Sequence, residues 1–403
     1  MNESEPLCHP DPEPSPADDA APRKAPPAAG DLLAPLLARH RLLVCVGSGG
    51  VGKTTTAAAL GLSAALRGLR TAVLTIDPAH RLRDALGIEA LAGEPHRVPL
   101  DRLRRTIRQH ADPLSTDASR RMGSLDAMLL DAKRTFDDLI RRYAPSEAAA
   151  ERVLRNRIYQ SVSSALAGSQ DYMAMERLHT LATSDRYDLL VVDTPPTHHA
   201  LDFLEAPERL TALLSSRAAT VLQNPASILA GGSRLAQAAL SAVLRGLERF
   251  TGIELLRDIA EFVGGLETFS EGFQERARTM ARFLRQRETA FLIVTTTEPA
   301  RVAESLTFHR ELARAGLPFA GFIVNRVLPR DLVAPRPPAL AVEDDSPLAR
   351  KLGALERYLA SLIASEGAQI ARLAAAAPAA LLVQVPLQTH EPTSLSSLAR
   401  ILG

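Results

Sequence analysis

The sequence predicts an α/β fold in which a mostly parallel sheet is flanked by helices and carries an inserted helical subdomain. Short, uniformly apolar runs alternate with longer helical segments, which is the pattern of buried parallel strands. Several of these runs end in an acid or an amide, as strands do where they meet a ligand crevice. Residues 208–285 show helical periodicity without a strand signal, so we expect them to form the insertion.

The first strand is expected at Leu42–Val46, after a helix from Asp31 to Arg39. It leads into a glycine-rich loop that fits the pattern G-x-x-x-x-G-K-[ST] and opens an alanine-rich helix, Thr54–Arg67. Glycines allow backbone N–H groups to approach an anion, and the positive end of the helix adds to the attraction. The residues of this phosphate loop are Gly47, Ser48, Gly49, Gly50, Val51, Gly52, Lys53, Thr54 and Thr55.

The chemistry of this loop indicates a site for the phosphates of ATP. Lys53 is expected to reach the β- and γ-phosphates, and the Thr54 hydroxyl is expected to bind Mg²⁺. The alternative is a glycine-rich turn with an incidental lysine. The strand before the loop and the helix after it favour phosphate binding.

Two further apolar runs end in aspartates at the same predicted edge of the sheet. Asp77 follows Thr71–Ile76 and could position or deprotonate a water that attacks the phosphate, or cap a helix at Arg81–Leu86. Asp193 follows Leu189–Val192 and is expected to hold the Mg²⁺ or one of its waters. The alternative for Asp193 is an aspartate that only starts a turn.

The segment between these acids, residues 100–182, is expected to be helical. Apolar residues recur at near-helical spacing over Ala127–Ile140, and the pattern resumes at Glu147 after Pro145. Another helix is expected to open near Asp171. In residues 208–285, the apolar helix faces either pack on each other or line a groove for an apolar ligand.

The α/β pattern returns after residue 285. Asn325 follows a strand at Phe319–Val324 and is placed to hydrogen-bond a base edge, and Pro386 follows the last strand. The other elements expected here are strands at Ala290–Thr295 and Ala380–Val385, and helices at Pro299–Ala315, from about Pro347 to Ala375, and after Pro392.

Composition excludes several classes of protein. A formal net charge of +1 gives no global argument for binding to nucleic acid or an anionic membrane. Cys8 and Cys45 form no C-x-x-C pair, so neither a disulfide framework nor a thiolate zinc site is expected. The sequence has no run of about 18 apolar residues and no apolar signal-peptide core near its start. We therefore expect a cytoplasmic protein without a transmembrane segment.

Four regions follow from these patterns. Residues 1–30 contain a Pro/Ala-biased segment that is expected to be a disordered tail. Residues 31–207 and 286–403 are expected to form the two parts of a P-loop NTPase core. Residues 208–285 are expected to form the helical subdomain between them.

Taken together, these motifs resemble the ArsA-type ATPases, which include arsenite-pump ATPases and the ATPases that target tail-anchored membrane proteins. The matching segments are Gly47–Thr55 for the phosphate loop, Asp77–His80 for switch I, Asp193–Thr197 for switch II, Leu201–Leu204 just after switch II, and Val324–Val327 for the base-binding loop. They span nearly the whole chain from about residue 40, in family order. ParA/MinD-type partitioning ATPases are more distant relatives.

The resemblance implies a homodimer with nucleotide at or near the interface, and a helical subdomain that opens and closes with the nucleotide state. It implies that Gly49–Lys53 hold the phosphates, Thr54 the Mg²⁺ and Thr55 the α-phosphate. It also implies that Asp77 positions the water, that Asp193 supports the Mg²⁺ site, and that Asn325 and Pro386 form the adenine pocket.

The sequence departs from the family in its phosphate loop and in its cysteines, among other features. The family has a second lysine after the first glycine of the loop, which reaches the phosphates of the other subunit, and here that residue is Ser48. Either hydrolysis is slow, another group supplies the charge, or the dimer is arranged differently. The cysteines that bind arsenite in the pumps have no counterpart, which argues against a trivalent metalloid site.

The expected function is that of a Mg²⁺-dependent ATPase, which hydrolyses ATP to ADP and phosphate and couples this to a conformational change of the helical subdomain. One alternative is a nucleotide-switched factor with little turnover that binds an apolar client or a membrane-protein partner. A partitioning ATPase that binds DNA is a further alternative. The near-neutral charge and the lack of a basic stripe disfavour it, so no nucleic-acid partner is expected.

Overall fold

The computed structural model describes residues 29–77, 81–88, 91, 93–101, 103, 105, 123–156, 159–160, 169–195, 275–276, 278–333 and 346–402. Several predicted features lie outside these residues. They are most of the N-terminal tail, the switch residues after Asp77 and after Pro195, and the helical subdomain apart from its last residues. Within that last part, residues 278–284 are helical.

One sheet of eight strands organises the described part of the chain. The strands are β1 (Leu42–Val46), β2 (Arg70–Thr75), β3 (His96–Arg97), β4 (Ser124–Leu129), β5 (Leu189–Asp193), β6 (Thr289–Thr295), β7 (Phe319–Val327) and β8 (Leu381–Pro386). Their order across the sheet is β3-β4-β2-β5-β1-β6-β7-β8. Neighbouring strands are parallel except β3, which is antiparallel to β4. The mostly parallel α/β fold predicted from the sequence is therefore confirmed.

Helices cover both faces of the sheet. They are α1 (Ala29–Arg39), α2 (Lys53–Leu66), α3 (Arg81–Leu86), α4 (Ala132–Tyr143), α5 (Glu147–Arg155), α6 (Ser169–Ala182), α7 (Pro299–Arg314), α8 (Pro347–Ala376) and α9 (Leu395–Ile401), with a short 3-10 helix at Arg330–Val333. Among the described residues, no helix combines the length and the apolar character needed to cross a bilayer.

The central strand β1 shows why both faces need a cover. Leu43 and Cys45 are fully buried in one core with α2, whereas Leu42 and Val44 are buried in a second core on the opposite face. Because side chains of a strand alternate between faces, a strand that is buried on both sides must be apolar throughout. This explains the continuous apolar runs in the sequence, and it places the end of β1 in the middle of the molecule.

The prediction of a helix over Ala127–Ile140 is wrong at its start. Ser124–Leu129 forms the buried strand β4, which pairs with β2, and the helix begins only at Ala132 with Asp131 as its cap. Asp126 interrupts the apolar run and obscures the strand signal. In the fold this buried carboxylate accepts a 2.8 Å hydrogen bond from the Tyr187 hydroxyl, so tertiary contacts compensate its burial. The short strand β3 was also not predicted.

Candidate phosphate and magnesium site

The phosphate loop leaves the carboxyl end of β1, between the ends of β5 and β6. Gly47 begins the loop with φ +148°, and a Cβ there would lie 2.2 Å from the carbonyl oxygen of Val294 in β6. Only glycine allows the loop to pass so close to the neighbouring strand. Gly49 and Gly50 lie exposed at the tip, whereas Ser48 and Val51 are buried.

Helix α2 begins immediately after the loop without a side-chain cap. The residue before it is Gly52, which has φ +96°, so the first N–H groups of the helix have no side-chain oxygen to pair with at this position. Such N–H groups, together with the helix dipole, favour an anion at the start of α2. Thr55 lies in this first turn and is half-buried.

Lys53 is buried and lies across the beginning of the loop. Its Nζ donates to the carbonyl oxygens of Gly47 and Ser48, both at 2.9 Å. Burial lowers the pKa of Lys53, and the negative charges of Asp193 and Asp77 oppose that shift. The ammonium is therefore held inside the loop by two neutral carbonyls, and exchanging them for phosphate oxygens would improve its electrostatic environment.

Thr54 and Asp193 form the strongest candidate for a metal site. The Thr54 hydroxyl donates to Oδ2 of Asp193 at 2.7 Å, and the Thr75 hydroxyl donates to the same oxygen at 2.9 Å. The other oxygen, Oδ1, is buried and has no hydrogen-bond partner in the described part of the chain. Burial raises the pKa of Asp193 to about 6. A buried carboxylate oxygen without a partner, beside a threonine hydroxyl, fits the hard oxygen ligands that Mg²⁺ prefers.

Asp77 follows β2 at the same edge of the sheet, as predicted. Its carboxylate is 17% exposed and lies 3.9 Å from the Arg81 guanidinium. Its charge opposes the lowering of the Lys53 pKa and adds to the rise of the Asp193 pKa, so it lies close enough to interact with both groups. An acid that is partly exposed beside a phosphate loop is suited to contact water.

Asn325 and Pro386 lie at the ends of the neighbouring strands β7 and β8. The Asn325 side chain donates from Nδ2 to the carbonyl oxygen of Val51 at 2.9 Å, and therefore supports the phosphate loop directly. Pro386 pairs with Val327 at the end of β8. The sequence-predicted role of both residues in binding a base stays a prediction.

Three contributors to the site were not identified from the sequence. Thr75 is the last residue of β2 and shares the Asp193 oxygen with Thr54, and Glu304 in α7 accepts a hydrogen bond from the Ser48 hydroxyl. Glu366 in α8 accepts from the Thr297 hydroxyl and from the N–H of Leu328, both at 2.9 Å, and so fixes the chain beyond Asn325. Thr75 could have been found from its position before a strand-end acid. No local sequence pattern marks Glu304 or Glu366 as part of the site.

Comparison with known proteins places this site in a family. The ArsA family profile, described as anion-transporting ATPase, matches residues 40–336. An uncharacterised protein of Streptomyces coelicolor is 30% identical over 295 residues, which cover 73% of this chain and 64% of that protein. ATPase GET3 of Kluyveromyces lactis is 25% identical over 295 residues, which cover 72% of each chain.

A putative arsenical pump-driving ATPase of Chlorobaculum tepidum is 28% identical over 171 residues, which cover 42% of this chain and 36% of that protein. The family match spans β1 to β7, and it includes the phosphate loop, both strand-end aspartates and Asn325. The chain therefore belongs to the ArsA family of anion-transporting ATPases.

Proposed function

We propose that this ATPase uses Mg²⁺ to hydrolyse ATP to ADP and phosphate in the cytoplasm, and couples turnover to a conformational change of residues 208–285. The observation that carries the proposal is the pairing of Thr54 with Asp193, whose second oxygen is buried without a partner. Burying a carboxylate oxygen without a partner costs free energy, and a bound cation would offset that cost.

The side chains of the site have separable roles in this proposal. The N–H groups at the start of α2 hold the phosphates, and Lys53 leaves the carbonyls of Gly47 and Ser48 to bind the β- and γ-phosphates. Asp77 orients the attacking water or accepts its proton. Asn325 and Pro386 hold the adenine ring at the ends of β7 and β8.

Thr54 and Asp193 would hold the Mg²⁺ ion. When bound, the ion neutralises charge that develops on the phosphate oxygens during transfer. Thr75 keeps the carboxylate of Asp193 in the orientation that leaves Oδ1 facing the site.

The test is steady-state ATP turnover of the wild type and of Lys53→Ala, with Lys133→Ala as a matched control. Lys133 is a half-exposed lysine of α4 that pairs with Asp137, so its removal deletes the same charge away from the loop. We expect Lys53→Ala to lose at least about a hundredfold in turnover, because it removes a preorganised charge from the transition state. Equal rates for Lys53→Ala and the wild type would refute the proposal.

A second candidate function is a nucleotide-switched factor that binds apolar segments with little turnover. Its support is a set of large apolar side chains with exposures of 46–61% on the 3-10 helix, on α8 and beyond β8: Leu332, Leu348, Leu355, Tyr358 and Leu387. Leu348, Leu355 and Tyr358 follow helical spacing, so they lie on one side of α8. A surface of this kind is typical of a binding site for an apolar helix.

This candidate is tested with a labelled apolar helical peptide, bound to the protein in the presence of ADP or of a non-hydrolysable ATP analogue. Leu355→Glu with Tyr358→Glu should abolish binding, whereas Arg357→Glu, an exposed neighbour, should preserve it. Equal binding in both nucleotide states would exclude a switch. The homodimer that the family resemblance implies is tested in the same samples, by light scattering with and without the ATP analogue.

A further inference from the structure

Three side chains connect helix α7 to the rim of the phosphate loop. The Ser48 hydroxyl donates to Oε2 of Glu304, and the Arg301 guanidinium donates to the same oxygen from Nη1 at 3.2 Å. Arg301 also lies 3.8 Å from the Glu298 carboxylate. We call Ser48, Glu304 and Arg301 the rim cluster.

The rim cluster places a negative charge where an anionic ligand is expected. The Glu304 carboxylate contacts a residue of the loop itself, and its side chain is 40% exposed. A carboxylate at this position repels a nucleotide that carries several negative charges, because two like charges near a protein surface interact over several ångströms. The repulsion must be offset if the loop is to bind phosphate well.

The Arg301 guanidinium contacts this carboxylate from the same helix. It is permanently charged, and its side chain is 36% exposed, so it stays hydrated and open to the solvent side of the loop. Lys53 contacts the backbone of the same residue, Ser48, from inside the loop. Ser48 therefore contacts Lys53 inside the loop and the Glu304–Arg301 ion pair outside it.

Resting on the proposed function, we propose that Arg301 raises the affinity of the phosphate site for Mg·ATP by neutralising Glu304 at the rim of the loop. Arg301 is a positioning residue: it cancels the field of Glu304 and leaves Ser48 fastened to α7. ATP, with its β- and γ-phosphates, is the ligand that gains most from this neutralisation.

The test is the affinity of the full-length protein for Mg·ATP and for AMP, measured by calorimetry for the wild type, Arg301→Gln and Arg301→Lys. Arg314→Gln is the matched control, because Arg314 is an exposed arginine at the other end of the same helix, about 20 Å away along its axis. We expect Arg301→Gln to weaken Mg·ATP binding roughly tenfold, the size of one screened charge interaction. AMP binding should change less, and Arg301→Lys should recover most of the loss.

Two double variants separate charge compensation from a merely structural contact. Glu304→Gln with Arg301→Gln removes both charges and should bind Mg·ATP nearly as well as the wild type. Ser48→Lys with Arg301→Gln places an ammonium on the loop and should also recover affinity. The deficit of Arg301→Gln should shrink at high salt, because screening weakens a charge effect and leaves a packing defect unchanged.

The outcomes distinguish this inference from the proposed function. A wild type that binds no Mg·ATP would refute the proposed function. A wild type that binds Mg·ATP as tightly as Arg301→Gln would overturn only the inference on Arg301. Equal losses for ATP and AMP, without recovery in either double variant, would also overturn it.

Discussion

Asp193 and Thr54 are 139 residues apart in sequence, and their side chains share a 2.7 Å hydrogen bond at the mouth of the phosphate loop. The same Asp193 oxygen accepts a second hydrogen bond from Thr75. The start of α2 and the ends of β2 and β5 thus meet at one carboxylate, whose other oxygen is buried without a partner in the described part of the chain.

The first prediction concerns this carboxylate. Thr54→Val should reduce Mg²⁺-dependent ATP turnover by about a hundredfold or more, because it removes a proposed ligand of the Mg²⁺ ion. Thr75→Val removes a bond to the same Asp193 oxygen without removing a predicted ligand, so it should retain most of the activity. Turnover measured against Mg²⁺ concentration checks this, and equal apparent Mg²⁺ affinities for the two variants would contradict it.

The second prediction separates two roles of Asn325. Asn325→Asp replaces the N–H₂ that binds the Val51 carbonyl with an oxygen, so two acceptors face each other. Affinity for ATP should fall roughly 10- to 100-fold, as expected for an unpaired polar contact. Binding of ATP, GTP and inorganic triphosphate is compared. A loss shared by all three ligands indicates support of the loop alone, whereas a loss confined to ATP indicates contact with adenine.

The third prediction concerns a buried ion pair next to residues 278–284. Nε of Arg276 donates to the two carboxylate oxygens of Glu176 at 2.9 and 2.8 Å, and the side chains are 14% and 3% exposed. Arg276→Met leaves a buried carboxylate without its cation and should lower the free energy of unfolding by about 3–5 kcal/mol.

The control for this pair is Arg282→Met. Arg282 is an exposed arginine six residues further along the chain, with a side chain that is 69% exposed. Its loss should change the free energy of unfolding by less than about 0.5 kcal/mol. Both values come from guanidinium denaturation, and similar values for the two variants would contradict the prediction.

The fourth prediction is a pH dependence of stability that arises at the amino-terminal ends of β2 and β5. Hydrogen bonds from Arg70 lower the pKa of Asp188 below its ordinary value of 3.8 and join β2 to the start of β5. Because the folded protein favours the carboxylate, this contribution to stability is present above pH 3.8 and is lost as the pH falls through the lower folded-state pKa. Asp188→Asn should therefore be less stable than the wild type at neutral pH, and the difference should vanish in acid. Thermal unfolding of both proteins across the pH range measures it.

The sequence predicts most of this architecture because the central strands are buried on both faces and must be apolar throughout. The phosphate loop, Asp77 and Asp193 could be located for the same reason, since each follows such a strand. Strand β4 could not be predicted, because its buried Asp126 is stabilised by contacts with Arg97 and with Tyr187, which lies 61 residues away. The contact of Ser48 with Glu304 joins residues 256 apart, and no local pattern encodes it.

Strands β5 and β6 lie on either side of β1, and both pair with it in parallel. The chain therefore departs from one flank of the phosphate-loop strand and returns on the other, with residues 194–288 in between. Backbone pairing with β1 fixes the end of β5 and the start of β6, which are the two points where the intervening segment joins the sheet. A change in the length of that segment therefore leaves in place the backbone pairing that positions the phosphate loop.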